Sequence, residues 1–129
     1  MSELITEKEL ARFEQADADE VDTVFERNMK QTDIDWNAQE VGNIPVLAHY
    51  YVKGKDMHYY VLSRVHDDED DLLTCVNVNE GAVQLILFPV RLFNGAVLDD
   101  ETQEHAFAEE KLSGSVCLKH VLPGLGAAE

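Results

Sequence analysis

Residues 44–88 hold four apolar, strand-like runs separated by short turn signals, and that spacing predicts hairpins. The first two runs, 44–53 and 57–66, are rich in Val and Tyr and flank Gly54-Lys55. Glycine at the first loop position suits a two-residue type II′ turn. The next two, 72–79 and 82–88, flank Glu80-Gly81 and form a second hairpin candidate. Pro89 has no N–H to give a ladder, so it ends or bends that strand. Asn94-Gly95 is a strong short hairpin signal and predicts a third turn, joining strands at 90–93 and 96–98.

The first hairpin carries a geometric prediction. With Gly54 and Lys55 as the loop, Lys53 faces Asp56 and the pairing continues outward. Val52 meets Met57, Tyr50 meets Tyr59, and Ala48 meets Val61, giving an apolar face for the core. On the opposite face Tyr51 meets His58 and His49 meets Tyr60, with Leu47 and Leu62 alongside. Three readings of that second face follow. Histidine and tyrosine combine apolar area with polar tips, which suits a partner surface. The same four side chains also make an ordinary half-buried cross-strand cluster, each pair worth about 0.2–1 kcal/mol. A metal is the weakest reading, because zinc takes three or four ligands and only two histidines are present. A register slip of one residue would dissolve the cluster.

Helical signals lie at both ends. Thr6 and Glu9 have capping-box spacing, followed by Leu10 and Phe13 on one helical face. Asp17 and Asp19 interrupt that pattern and can cap a second segment. There Val21, Val24, Phe25 and Met29 follow an i, i+3, i+4, i+8 rhythm, so residues 6–30 read as helix with a break near 16–19. Residues 31–43 read as a polar connection anchored by Trp36. Asp99 can cap a late helix reaching about Leu112, with Asp100 and Glu101 in its first turn and Gly114 as its stop. Residues 115–122 read as a strand. The expected architecture is α+β: an N-terminal helix or helix pair, an antiparallel sheet of about five strands, and one late helix. The helices are expected as a single layer on one sheet face. Residues 1–129 are expected to form one domain, with 1–5 and 123–129 as loose ends.

The charge balance bears most on function. Twenty-six Asp and Glu stand against ten Lys and Arg, a net charge of −16 on 129 residues. Such a field repels nucleic acid and anionic membrane and attracts basic protein surfaces. A hydrophobic content of 45% still allows a core and argues against wholesale disorder. No apolar run approaches the roughly 20 residues of a membrane span. The first residues are acidic where a secretory leader would be basic, so the expected location is the cytoplasm. Cys75 and Cys117 lack metal-site spacing and read as small apolar residues within strands.

Between Glu3 and Glu40 twelve acids face four bases, Lys8, Arg12, Arg27 and Lys30. Glu26 and Lys30 have the spacing of a helical ion pair, whereas Asp22 and Glu26 repel. His66 precedes five consecutive acids, Asp67, Asp68, Glu69, Asp70 and Asp71. Calcium loops need a glycine and spaced ligands, so this run reads as a solvated loop or a contact for a partner's Lys and Arg. No nucleophile elbow, zinc-protease motif or phosphate-cradling loop is present, and no basic stripe exists for phosphates. No enzyme activity and no cofactor are therefore expected.

The leading expectation is a small acidic inhibitor that fills the basic cleft of a nucleic-acid-handling partner such as a nuclease. A phage anti-defence protein of the anti-CRISPR kind or a nuclease-toxin immunity protein would fit. The candidate partner-binding residues are Asp67 to Asp71, then Asp99, Asp100 and Glu101, with His49, Tyr51, His58 and Tyr60 as aromatic anchors. The alternatives are a homodimeric adaptor whose charge only confers solubility, and a small-ligand pocket domain.

Overall fold

Two side-chain caps set the N-terminal helices. A computed structural model describes residues 5–30, 33–36, 38–52, 56–66, 71–93, 107–110, 112 and 116–121. Helix α1 (Glu7–Phe13) starts at Thr6, whose Oγ1 accepts the Glu9 N–H at 3.4 Å. Helix α2 (Ala18–Arg27) starts at Asp17, whose Oδ1 accepts the Glu20 N–H at 3.1 Å. The expected break therefore falls where Asp17 satisfies the new helix's orphan donors. Val21, Val24 and Phe25 form the buried face of α2.

Met29 departs from the expected helical rhythm. Asn28 closes α2, its Nδ2 donating to the Val24 carbonyl at 2.7 Å. Met29–Lys30 (β1) then pairs with Asp33–Ile34 (β2) in a two-stranded ribbon, leaving Met29 48% exposed. The connection that follows contains a short helix α3 (Gln39–Gly42), and Trp36 packs edge-on against Phe25 at 5.9 Å.

The main sheet contains β3 (Ala48–Val52), β4 (Met57–His66), β5 (Asp71–Asn79), β6 (Ala82–Pro89) and β7 (Phe107–Glu110). All neighbours are antiparallel, in the order β6-β5-β4-β3-β7. The β3–β4 register is the one the sequence predicts: Ala48 opposite Val61, His49 opposite Tyr60, Tyr50 opposite Tyr59, Tyr51 opposite His58. The Gly54-Lys55 turn itself, with Lys53, lies outside the described residues. Glu80 and Gly81 close the β5–β6 hairpin with φ of 50° and 88°, the two positive angles of a type I′ turn. A β-bulge between Val61 and Ser63 shifts the β4–β5 register by one residue.

Three expected elements differ. Residues 107–110 form strand β7, where the late helix was expected, because β3 offers an open edge and Phe107–Glu110 pairs along it. Ladder pairing there overrides the helical propensity of an Ala/Glu-rich segment. Asp99, Asp100 and Glu101 lie outside the described residues. Residues Val90–Phe93 form a short helix, α4, instead of a strand. Pro89 stops β6, and i, i+3 spacing then turns both Val90 and Phe93 inward. Leu118–Val121 is helix α5, not strand. Cys117 makes an isolated bridge to Pro45, and His120 Nδ1 accepts the Cys117 N–H at 3.0 Å, turning the chain into α5. Asn94-Gly95, the 96–98 strand and the Gly114 stop also lie outside the described residues.

The α+β class stands, but helices cover both sheet faces rather than one. On the first face Tyr60, Leu62, Val76 and Val78 pack with Val21 and Phe25 of α2, Val41 of α3 and Leu118 of α5. On the second, Tyr50, Tyr59, Val61, Leu73 and Cys75 pack with Phe13 of α1 and with Val90 and Phe93 of α4. The physical reason lies in an interior strand. Residues 73–78 of β5 are buried without alternation, so both faces need cover.

Candidate functional site

Strands β3 and β4 bring His49, Tyr51, His58 and Tyr60 onto one patch, as their pairing requires. The patch is packed rather than open: His49 and Tyr60 are buried, and Tyr51 and His58 are half-buried. His49 lies tilted over Tyr60 with ring centroids 4.5 Å apart. His49 Nε2 and His58 Nδ1 are 2.9 Å apart, and His58 Nε2 lies 3.1 Å from Asp56 Oδ1. Glu110 Oε2, reached across β7, lies 3.9 Å from His49 Nδ1. The four groups form a line, Asp56–His58–His49–Glu110.

Hydrogen-bonding capacity orders that line. An ionised carboxylate only accepts, so His58 Nε2–H donates to Asp56 and leaves His58 Nδ1 as an acceptor. His49 Nε2–H then donates to it, and the bare His49 Nδ1 faces Glu110. Burial holds the His49 imidazole below its usual range, the neighbouring His58 lowers it further, and Glu110 opposes both. The native state thus favours neutral His49, whereas an unfolded chain protonates as pH falls through about 6.5. Stability is accordingly expected to be level above that pH and to fall below it, by at most about 1.4 kcal/mol per pH unit for this one group. His49→Gln should flatten the loss. Melting temperatures from pH 7.5 to 5.5 check this, and an equal loss in both proteins would contradict it.

The line does not converge on a point, and among the described residues no group of three or more His, Cys, Asp or Glu side chains is arranged to hold a metal. Asp56 was legible in principle, since it precedes His58 by two residues on the same face. Glu110 was not, because its segment read as helix.

Of the acidic run, Asp67, Asp68, Glu69 and Asp70 lie outside the described residues. Asp71 opens β5 and accepts from Arg64 at 2.9 Å, while Arg64 also binds Glu14 of α1 at 3.1 Å. Arg64 therefore ties the sheet to the C-terminal cap of α1, and Asp71 holds Arg64 from the neighbouring strand.

The acids of α2 form a different arrangement. Asp19, Asp22 and Glu26 follow i, i+3, i+7 spacing, opposite the buried Val21, Val24 and Phe25. Asp22 is held above the usual carboxylate range, first by partial burial and then by the charges of Glu26 and Asp19. The ladder runs about 10 Å along the helix axis. The Glu26–Lys30 pair expected from spacing involves a side chain outside the described ones.

A groove of about 630 Å³ opens between α1, α2 and the 43–47 segment, floored by Val21, Val24, Ile44 and Leu62. Its two cations are already engaged: Arg12 with Glu9 and the Leu47 carbonyl, and Arg27 with Glu40. The Arg27 contact holds Glu40 below its usual range.

The two thiols differ in environment. Cys75 is fully buried and its thiol is pushed far up by burial, whereas Cys117 is partly exposed. Alkylation of the native protein should modify Cys117 and reach Cys75 only on unfolding. Mass spectrometry of the labelled native chain checks this, and prompt double labelling would contradict it.

No helix among the described residues is long and apolar enough to cross a membrane. No family model matches the chain, and neither does a curated protein or a solved structure.

Proposed function

We propose that this chain is an acidic interaction protein that enters a basic cleft of a nucleic-acid-handling protein, presenting the outer face of α2 to it. The observation that carries this reading is the Asp19–Asp22–Glu26 ladder in a chain of net charge −16. The three carboxylates sit on a capped, well-packed helix, and the Asp22 carboxyl is raised first by partial burial and then by the charges of Glu26 and Asp19. Arg12, Arg27 at the end of α2, and Arg64 are drawn into pairs with Glu9, Glu40, Glu14 and Asp71 rather than with the ladder. The axial spacing is about 5 Å per charge, wider than the 3.4 Å per phosphate of one DNA strand but of the same order. Blockade of a cleft in this way is steric and electrostatic and needs no catalytic group. The acids at 67–70 and 99–101 extend the same proposal.

The test is affinity capture from extracts on immobilised protein, with elution by duplex DNA. A basic nucleic-acid-binding protein that DNA displaces is the expected result. Capture of no protein that DNA displaces would overturn the reading.

A further inference from the structure

Among the described residues the main sheet has two edges, β6 and β7, and they are built differently. The β7 edge is four residues long and carries Glu109 and Glu110, the usual protection against unwanted pairing. The β6 edge runs eight residues, Ala-Val-Gln-Leu-Ile-Leu-Phe-Pro, without a charge or a register break. Leu87, one of its exposed side chains, is 57% accessible.

Hairpin geometry fixes which backbone groups of β6 point outward. A two-residue turn closes on a hydrogen-bonded pair, here Asn79 and Ala82. Bonded and non-bonded pairs then alternate along the ladder. Gln84, Ile86 and Phe88 bond inward to β5, so Val83, Leu85 and Leu87 turn their N–H and C=O groups away from the sheet. Pro89, next in that row, has no N–H and ends it.

We propose that β6 pairs antiparallel with β6 of a second copy of this chain, centred on Leu85. Leu85 then faces Leu85 of the other copy, and Val83 faces Leu87 in both directions. This register pairs Val83, Leu85 and Leu87 only with one another, each giving an N–H and a C=O to the other copy. Moving the centre by one residue toward the turn brings Leu87 opposite Gly81, and moving it the other way brings Val83 opposite Pro89. A second copy suits this edge on grounds of charge as well. Two chains of charge −16 repel, and residues 81–90 carry no charged side chain, so the seam brings the copies together along uncharged backbone. At each end it sets Pro89 against Gly81, which brings Arg91 of one copy near Glu80 of the other.

Sedimentation equilibrium of the full chain tests the pairing, with twice the chain mass expected at high micromolar concentration. Association should strengthen with salt, the opposite of the trend expected for a cationic partner, so the two proposals fail separately. Leu87→Lys adds a charge at an exposed position and should give a monomer with an unchanged circular dichroism spectrum. Cross-linking in a Cys117→Ser background reads the register. Opposed bonded residues lie about 5.5 Å apart between Cα atoms, within the disulfide range of about 4.4–6.8 Å. Leu85→Cys should therefore give a cross-linked dimer on oxidation. Leu87→Cys should not, because it lies about 13 Å or more from its own copy. A monomeric wild type, a dimeric Leu87→Lys variant, or equal cross-linking at positions 85 and 87 would each overturn the proposal.

Discussion

Phe93→Ala should lower the unfolding free energy by about 3–5 kcal/mol. Phe93 is 3% exposed, and its ring centroid lies 4.7 Å from Phe88, 5.0 Å from Tyr50, 5.0 Å from Phe107 and 5.5 Å from Tyr59. Those four rings stand on β6, β3, β7 and β4, so one side chain of α4 joins strands from one edge of the sheet to the other. Truncation leaves a cavity ringed by stiff aromatics that cannot collapse into it. At roughly 4 °C per kcal/mol for a chain of this size, the melting temperature should fall by about 15 °C. Phe93→Leu keeps much of the volume and should cost about 1.5 kcal/mol. Denaturant titration checks both. A loss under about 1 kcal/mol for Phe93→Ala would mean that α4 does not seal this face.

The triple variant Asp19→Asn, Asp22→Asn, Glu26→Gln should bind the cationic partner at least about tenfold more slowly, because steering by charge acts mainly on association. Its folding stability should hold. Removing the two like-charge spacings relieves about 0.5 kcal/mol, while losing Asp19 from the first turn of α2 forfeits a similar amount of dipole interaction. The Asp22 shift gives the sign for pH. A carboxyl raised in the native state makes the native chain bind protons more readily than the unfolded one. Asp22 thus adds stability as pH falls through the carboxylate range, and Asp22→Asn removes that component. Stopped-flow association and thermal melts separate the two effects. Loss of binding together with loss of stability would mean that the variant unfolds α2 instead of discharging it.

The parts of the fold legible in the sequence were those fixed by local chemistry. Thr6 and Asp17 cap, Glu80-Gly81 turns, and period-two alternation set the β3–β4 register. The parts that were not legible depend on partners distant in the chain. Phe107–Glu110 becomes a strand by pairing along β3, and Leu118 of α5 packs into the core cluster that holds Val41 of α3. The candidate site divides in the same way. The histidine–tyrosine cluster and its half-buried reading followed from pairing, but the full burial of His49 and Tyr60 did not, since alternation cannot show that a second layer covers the face. Asp71 looked like part of a free acidic run, and the β4–β5 ladder instead draws it to Arg64. Of the ladder on α2, the Asp22–Glu26 repulsion was visible at helical spacing, whereas Asp19 read as a break or cap because its place inside the first turn depends on Asp17 taking the cap. The ladder's standing as a surface feature needed Val21, Val24 and Phe25 to be buried on the opposite side.

The dependence of partner affinity on salt, measured for the wild type and the triple variant from about 0.05 M to about 0.5 M, tests the acidic-ridge account most directly. The account predicts a steep fall for the wild type and a much shallower one for the triple variant, with the curves meeting at high salt. Parallel curves, or wild-type binding indifferent to salt, would contradict it.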